Sequence, residues 1–557
     1  MAFYDEGVLH QEAIFIRDLV WAFEQSIWLK LSDICKGTNL WVCPDQTRML
    51  LNNTAGISPY DAKPLHWGIV ALGITGFGNT DYVGPVCMAL FGTATIPIAF
   101  LIGKTLSDDK TGLLAALLLA SNPMHVSYSR SGLAEADSVF FFSLAIYLLI
   151  RGRSTISRNR TIWLMGAGFF GAAAAGANHR WLLLGYAVLL VLLSWYSLLQ
   201  KRPFRGFLGE SAIMTSAYAS LLLAYEVPWY IFVLIFKRCG QVLPFETYFE
   251  QLTHLYSSQF VPIGLKISDF FVAIPILWIL GGPFYILSLL LATAWILLAR
   301  RARRQFAVMA IWFLIPLIWF SVYGLKLARY LSLTIPAGCL IIALALSSVP
   351  GFLRIPNKHS PSAKRTISFS ISAIWLFLLI SSSLLQGIKF FQQETGYPYA
   401  FRLLRETGAP KHFSTQYYLS LTYLGKENSR MIPVSLEELR EGYYDGYRYF
   451  LVDLQVYFDG YNQWPERQQV LYEVMNSIEP RWNLGNTIGS TPQYILEHNL
   501  DWTESTSFLY TPEKYDLLTE IRIYDLQEYF ALAPKLGDGF SANSLLPSLT
   551  IRLPSDQ

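Results

Sequence analysis

Two long apolar runs, joined by one polar tripeptide, occupy residues 161–199: TIWLMGAGFFGAAAAGANHRWLLLGYAVLLVLLSWYSLL. Neither run contains Asp, Glu, Lys or Arg, and each approaches the ~20 residues that an α-helix needs to cross a bilayer. Asn178, His179 and Arg180 lie between them. The pattern predicts two membrane-spanning helices that meet in a short charged turn.

The same pattern recurs along the chain. Residues 112–127 and 138–150 form short runs, which we expect to be buried among other helices or partly embedded. Residues 66–78 are shorter still and rich in glycine, which favours an interfacial helix. Ten apolar runs, free of charge except for Glu226, are expected to be spans: 83–103, 112–127, 138–150, 161–177, 181–199, 211–234, 270–298, 306–325, 330–349 and 366–387. The expected fold class is mostly α, a polytopic transmembrane helical bundle.

Composition supports a membrane class over a soluble one. Of the 557 residues, 53% are hydrophobic and only 15% are charged, whereas soluble domains carry about 25% charged residues. The formal net charge of +3 is small for this length. No basic surface for nucleic acid is therefore expected.

Lysine and arginine are concentrated in a few short loops. If the ten spans alternate in direction, these loops share one side, which the positive-inside rule assigns to the cytoplasm. The loops are marked by Lys104 and Lys110; by Arg151, Arg153, Arg158 and Arg160; by Lys201, Arg202 and Arg205; by Arg300, Arg301, Arg303 and Arg304; and by Arg354, Lys358, Lys364 and Arg365. The protein is thus expected to be a multi-pass protein of the cell inner or plasma membrane.

The remaining segments are expected on the extracytoplasmic side. They include the first loop, 1–67, and everything after residue 388. We expect a transmembrane catalytic domain over 1–388 and an extracytoplasmic α/β domain over 389–557. In that second domain, strands are expected near 446–454 and 520–524 and an amphipathic helix at 468–478.

Ionisable residues gather at the extracytoplasmic ends of the spans. Taken singly, each has an ordinary explanation: Arg180 or Lys326 can snorkel to the interface, Asp137 can cap a helix, His179 can be a packing residue and Glu226 can cap an interrupted helix. Their convergence on one face instead indicates a site. Cations there can hold a phosphate, and a carboxylate can take a proton from an attacking acceptor.

Short motifs in a fixed order resemble those of the GT-C fold glycosyltransferases. The likeness is greatest to the protein O-mannosyltransferases and the lipid A aminoarabinose transferase, and it covers about residues 1–350. The motifs are Tyr4-Asp5-Glu6, Lys63-Pro64-Leu65-His66-Trp67, Tyr128-Ser129-Arg130, Glu135-Ala136-Asp137, Val227-Pro228-Trp229-Tyr230 and Lys326 to Tyr330 followed by Pro336.

The resemblance implies a role for each matched residue. Asp5 would be the catalytic carboxylate with Glu6 beside it, and Asp137 would support the acceptor or the site's geometry. The phosphate of a polyprenyl-phosphate sugar donor would be bound by Arg180, Lys326 and Arg329. The residues expected to line the same cavity are Lys63, His66, Arg130, Glu135, His179, His254 and Tyr330. The acceptor would be a lipid, a protein or an envelope glycan.

The sequence departs from this family in two places. The family has a span before its Asp-Glu motif, so we expect either that the true start lies upstream of Met1 or that the chain is a fragment. Ala62 stands where the aminoarabinose transferase has an acidic residue, which weakens the case for a shared metal site and for lipid A as acceptor. No metal ligand is assigned, and a need for a divalent metal is left open.

Three further expectations complete the sequence-based picture. If their loop is extracytoplasmic, Cys35 and Cys43 can form a disulfide. A transporter or flippase for lipid-linked sugars would also gather cations near the membrane, but it should show mid-span charges and an inverted repeat. An inactive membrane scaffold that presents the C-terminal domain is the other alternative.

Overall fold

A computed structural model gives the architecture of two compact units, one with the helices up to Phe391 and one that begins at Tyr397. The structure describes residues 10–18 apart from 12 and 15, 63–80, 82–154, 159–238, 245–259, 273–299, 302–322, 328–348, 361–391, 397–408, 410–415, 417–453, 465–484 and 521–532. Asp5, Glu6, Cys35, Cys43 and Lys326 lie outside these ranges.

The described elements of the first unit are helices. Within the described ranges each of the ten expected runs falls on helix, and the run 270–298 is divided at Gly282 between two helices. They are α1 (Pro64–Phe77), α2 (Val83–Leu106), α3 (Asp109–Ser121), α4 (Pro123–Ser129), α5 (Glu135–Ser154), α6 (Arg160–Ala177), α7 (Trp181–Leu199), α8 (Phe204–Arg238), α9 (Tyr248–Gln259), α10 (Ala273–Gly281), α11 (Pro283–Ala299), α12 (Arg303–Val322), a 3-10 turn at Ala328–Leu331, α13 (Thr334–Ser348) and α14 (Pro361–Phe391).

Four of these helices are long and apolar enough to cross a membrane: α2, α7, α12 and the Phe204–Ile231 part of α8. Shorter apolar helices include α1 and α13. Exposed leucine and phenylalanine side chains such as Leu90, Leu183 and Phe377 face outward from the bundle, as they do where lipid replaces water as the solvent. The chain is an integral membrane protein with a mostly helical fold, as its sequence predicts.

Close helix crossings in this unit use glycine. A Cβ on Gly103 of α2 would stand 2.8 Å from the Cα of Gly112 on α3, so the two backbones pack without intervening side chains. Small residues at such crossings are typical of helix pairs in membranes, where van der Waals packing replaces the hydrophobic effect. The same contact between α2 and α3 would be lost with any larger residue at either position.

Three local expectations are corrected by the structure. The run 112–127 is broken at Asn122, whose side chain accepts the His125 N–H at 3.0 Å, because Pro123 supplies no backbone donor to continue the helix. Asp137 does not cap a helix, since α5 begins at Glu135. Glu226 lies inside the uninterrupted α8 and instead accepts the N–H groups of Tyr248 and Phe249, at 3.0 and 2.9 Å, at the start of α9.

The second unit is a small α/β domain, as expected. Its elements are α15 (Tyr397–Glu406), β1 (His412–Ser414), α16 (Tyr417–Leu424), β2 (Ser429–Met431), α17 (Leu436–Tyr444), β3 (Tyr449–Asp453), α18 (Pro465–Ser477), β4 (Trp482–Asn483), β5 (Ile521–Asp525) and α19 (Leu526–Leu532). The sheet order is β2-β1-β3-β5-β4, with β1 parallel to both β2 and β3, and β5 antiparallel to β3 and β4. Its core is built around Phe413, Phe450 and Tyr524.

A buried histidine makes the second unit sensitive to pH. His412 is fully buried and lies 2.8 Å from the Pro410 carbonyl and 3.0 Å from the Ser420 hydroxyl. Burial lowers its pKa to about 4. Between about pH 4 and roughly 6.5 the unfolded chain therefore binds a proton at this residue that the folded chain does not. The free energy of unfolding is highest above the unfolded pKa of roughly 6.5 and falls as the pH is lowered toward about 4.

We expect the free energy of opening of β1 to fall by about 2 kcal/mol between pH 7 and pH 5. Hydrogen exchange of residues 412–414 in the full-length protein, corrected for the intrinsic exchange rate, measures it. His412→Gln removes the titrating group and should flatten this dependence. An equal slope in the variant would show that other groups cause it.

Candidate functional site

The start of α5 carries two carboxylates that face different neighbours. Glu135 and Asp137 stand in its first turn, where the positive end of the helix dipole favours negative charge. Residues two positions apart on an α-helix project about 200° apart. Both are buried, with Asp137 at 0% and Glu135 at 4% exposure.

Asp137 faces the start of α1. Its Oδ2 lies 2.8 Å from Nδ1 of His66, and both side chains are completely buried. Its Oδ1 accepts the Ser138 backbone N–H at 2.8 Å. In the described part of the chain, Nε2 of His66 is buried without a hydrogen-bond partner. The pair joins the Lys63-Pro64-Leu65-His66 motif to the Glu135-Ala136-Asp137 motif.

Glu135 faces two segments from later in the chain. Its Oε1 is 3.5 Å from the Asn178 amide nitrogen and 3.7 Å from Nε of Arg329. These separations exceed those of a strong charge-assisted hydrogen bond, about 2.8 Å. The carboxylate therefore neutralises Arg329 through space without fixing its guanidinium in a tight bidentate pair.

Two arginines flank one tyrosine ring. The guanidinium carbon of Arg180 lies 4.3 Å from the centre of the Tyr330 ring, and that of Arg329 lies 5.8 Å from it. Both arginines are 7% exposed. Arg180 immediately precedes α7 and Arg329 belongs to the 3-10 turn before α13, so two span ends bring the cations together.

The other expected site residues divide by exposure. Lys63 and His179 are buried, at 6% and 1% exposure; Lys63 directly precedes α1 and His179 directly precedes Arg180. Arg130 and His254 are exposed, and the His254 ring lies 5.0 Å from that of Phe245 on the loop before α9. We call Glu135, Arg180, Arg329 and Tyr330, which the contacts above bring together, the arginine–tyrosine cluster.

One participant was not among the expected site residues. Asn178 supplies the amide that approaches Glu135, and its Oδ1 accepts the Arg180 backbone N–H at 3.3 Å. The signal in the sequence is its place in the Asn178-His179-Arg180 turn between two spans. Within the described ranges, no three His, Cys, Asp or Glu side chains stand close enough together to hold a metal ion.

Comparisons with known proteins agree with this architecture. Residues 40–243 match the family model of dolichyl-phosphate-mannose-protein mannosyltransferases. Protein YkcB of Bacillus subtilis (strain 168), whose name places it provisionally among mannosyltransferases, is 25% identical over 181 residues, which is 32% of this chain. The matched stretch spans about a quarter of that relative's length, 24%.

Among solved structures, ArnT from Cupriavidus metallidurans bound to undecaprenyl phosphate aligns with a TM-score of 0.50 and 15% identity. The alignment covers 72% of this chain and 84% of the ArnT chain. The archaeal oligosaccharyltransferase AglB from Archaeoglobus fulgidus aligns at a TM-score of 0.44 and 11% identity, over 75% of this chain and 65% of its own. The resemblance to GT-C fold glycosyltransferases that the ordered motifs indicate is confirmed.

Proposed function

We propose that this GT-C fold membrane protein transfers a sugar from a polyprenyl-phosphate donor to an acceptor on the extracytoplasmic face of the membrane. The observation that carries the proposal is the arginine–tyrosine cluster, in which two buried guanidinium groups flank one ring at converging span ends. The ArnT structure with the same fold is described as bound to undecaprenyl phosphate, which supports a lipid phosphate as the ligand.

The charges of the cluster suit a phosphate. Arg180 and Arg329 carry two positive charges, and in the described part of the chain the carboxylate of Glu135 lies 3.7 Å from Arg329. A phosphate held by guanidinium groups gains charge-assisted hydrogen bonds, and these strengthen as the sugar departs and the leaving oxygen becomes more negative. Glu135 lies 3.7 Å from Nε of Arg329, which is longer than a tight ion pair, so this contact leaves the guanidinium able to turn toward a phosphate. Lys326 is proposed as a further cation at this position.

The reaction is an inverting displacement. An acceptor hydroxyl or amine attacks the anomeric carbon, the bond from that carbon to the phosphate oxygen breaks, and polyprenyl phosphate leaves. A base takes the proton of the acceptor. By resemblance we assign that role to Asp5, with Glu6 beside it. Asp137 and His66 are proposed to position the site by tying the start of α1 to the start of α5.

The acceptor is proposed to be a lipid, a protein or an envelope glycan, and the transferred group a hexose or a pentose. Cations on the loops between 151–160, 201–205 and 300–304 support the orientation in which these loops face the cytoplasm. The opposite ends of the spans, which carry the arginine–tyrosine cluster, would then be extracytoplasmic together with residues 389–557.

The function is tested with the full-length protein in lipid nanodiscs and a panel of radiolabelled undecaprenyl-phosphate hexoses and pentoses. Isolated envelope fractions supply lipid, protein and glycan acceptors. We expect one donor to release undecaprenyl phosphate with transfer of the label, and Asp5→Asn to abolish that transfer. Full transfer by Asp5→Asn would remove the proposed base.

The same preparation separates the alternatives. A flippase would move the intact donor across proteoliposomes, with the sugar–phosphate bond unbroken. An inactive scaffold would neither cleave nor move any donor, although it could still bind undecaprenyl phosphate. Either outcome would overturn the transferase proposal.

A further inference from the structure

Three arginines surround one glutamate at the other end of the bundle. Arg153 lies 2.6 Å and Arg202 2.7 Å from a carboxylate oxygen of Glu210, and Arg160 is also paired with it. They come from the last turn of α5, the first residue of α6 and the loop before α8. Since Arg153 follows Asp137 by 16 residues on α5, this Glu210 cluster lies about 24 Å along that helix from Asp137.

Arg153 is held as a fixed part of the fold. Its side chain is 1% exposed, and it also donates to the Leu193 carbonyl at 3.0 Å and the Ser197 hydroxyl at 2.6 Å. Burial lowers its pKa to about 10, with Glu210 acting in the opposite direction. The guanidinium therefore remains charged at neutral pH, although it is removed from water.

The charges of the cluster do not balance. Three guanidinium groups face the carboxylate of Glu210, which is the acidic side chain that favours the charged form of both Arg153 and Arg160. Within the described part of the chain two positive charges are left over, on side chains that are 1% to 32% exposed, and a charge largely removed from water is unfavourable without a counterion. Within the described chain, Nε of Arg153 and Nε of Arg160 are also buried N–H groups without an acceptor. Charge and hydrogen bonding thus both call for an anion.

The cluster is open on the side where a lipid headgroup would lie. Arg160 and Arg202 keep 16% and 32% of their side-chain exposure. Large apolar side chains next to them in sequence are exposed: Leu198 at 73%, Phe204 at 71% and Leu208 at 48%. Charged groups beside an exposed apolar surface fit a phosphate that is attached to acyl chains, and basic pockets between helices are known to bind such headgroups.

We propose that the Glu210 cluster is a binding site for the phosphate group of an anionic phospholipid. One phosphodiester halves the excess charge of two, and a lipid with two phosphates cancels it. The phosphate oxygens accept the N–H groups of Arg153 and Arg160, and Glu210 keeps the three arginines at the right spacing. The site is separate from the arginine–tyrosine cluster and does not depend on transferase activity.

The test measures lipid binding to the delipidated full-length protein in mixed micelles. Phosphatidylglycerol and cardiolipin are titrated, with phosphatidylcholine as the neutral lipid and inorganic phosphate as the free anion. We expect saturable binding of the anionic lipids, with an apparent Kd about tenfold weaker in Arg160→Gln and in Arg202→Gln. Arg304→Gln, an exposed arginine at the start of α12, is the matched control and should bind as the wild type does.

The variant Glu210→Gln separates an anion site from a closed ion-pair network. Without the carboxylate the cluster has three uncompensated charges, so an anion site should bind anionic lipid as tightly as before or more tightly. If the cluster is only a structural network, replacing Arg202, its most exposed member, should lower the stability of the protein and leave lipid binding unchanged. Stabilisation by inorganic phosphate alone would assign the site to a free anion, and equal binding of phosphatidylcholine would overturn the proposal.

Discussion

Replacing Arg180 by alanine should weaken the binding of undecaprenyl phosphate about a hundredfold. Arg180 is buried against the Tyr330 ring at 4.3 Å, so its guanidinium is desolvated and oriented before any ligand arrives. A charge-assisted contact made by such a group is stronger than one made in water. Equilibrium binding of undecaprenyl phosphate to the purified protein measures the loss without any need to know the sugar or the acceptor.

Matched variants separate charge from orientation. Arg180→Lys keeps the charge but loses the planar fork and most of the stacking, so binding should weaken about tenfold. Tyr330→Leu removes the ring that holds both guanidinium groups and should also cost about tenfold. Arg304→Ala removes an exposed arginine at the opposite end of the spans and should bind normally. Unchanged binding in Arg180→Ala would exclude this residue from the phosphate site.

The rate of sugar transfer should fall together with the affinity for undecaprenyl phosphate. The contact to phosphate grows stronger as the leaving group gains charge, so Arg180→Ala should lower kcat/KM by about 10²–10³. A loss in binding with unchanged kcat at saturating donor would instead indicate that Arg180 anchors the lipid phosphate equally in the ground state and the transition state.

Much of the fold follows from the sequence because membrane helices are encoded locally. A run of apolar residues with no charge has few alternatives in lipid, where every backbone group must be paired within the segment. The strand near 446–454 can be predicted for a similar reason, because its residues form an unbroken run of types that favour strands. The helix break at Asn122 has a local signal too, since Pro123 follows it.

The sheet order and the charge partners depend on residues distant in sequence and were not predicted. Nothing local shows that β5 lies between β3 and β4, because that order follows from which strands pair after about 70 intervening residues. Likewise, the arginines of the 151–160 and 201–205 loops marked membrane orientation, but their common partner Glu210 was not recognised. Glu210 lies within the helix α8, so a count of the charged residues in the loops does not include it.

The candidate site shows the same division. The sequence predicts that the span ends carrying Arg180 and Arg329 converge, but the contact of both with the Tyr330 ring depends on the packing of α7 beside the turn before α13. The sequence places Glu135 and Asp137 in one motif, with Asp137 expected to support the acceptor or the site's geometry and Glu135 expected to line the cavity. Helical geometry instead directs Asp137 to His66 and Glu135 to Arg329, so the two carboxylates serve separate parts of the site.

The exchange Asp137→Asn should lower kcat about a hundredfold while leaving the binding of undecaprenyl phosphate nearly unchanged. Asp137 accepts from the Ser138 N–H through one oxygen and lies 2.8 Å from His66 through the other. An asparagine that still accepts the Ser138 N–H must present its NH₂ group to His66. The imidazole must then accept at Nδ1 and carry its proton on Nε2. A buried ring in the wrong tautomer shifts the start of α1, and misplacement of about 1 Å is enough for a loss of this size.

His66→Asn identifies which atom of the pair matters. The asparagine amide can donate to Asp137 much as Nδ1–H does, but it has nothing equivalent to Nε2. If His66 only positions Asp137 and the start of α1, this variant should retain kcat within about tenfold, whereas Asp137→Asn remains slow. Equal losses in the two variants would mean that Nε2 of His66 takes part in moving the acceptor proton. The proposed base Asp5 would then have a competitor, and the pH dependence of kcat in His66→Asn decides between them. Loss of the limb in which kcat rises with pH through the range of a histidine assigns the proton transfer to His66, and an unchanged profile leaves it with a carboxylate.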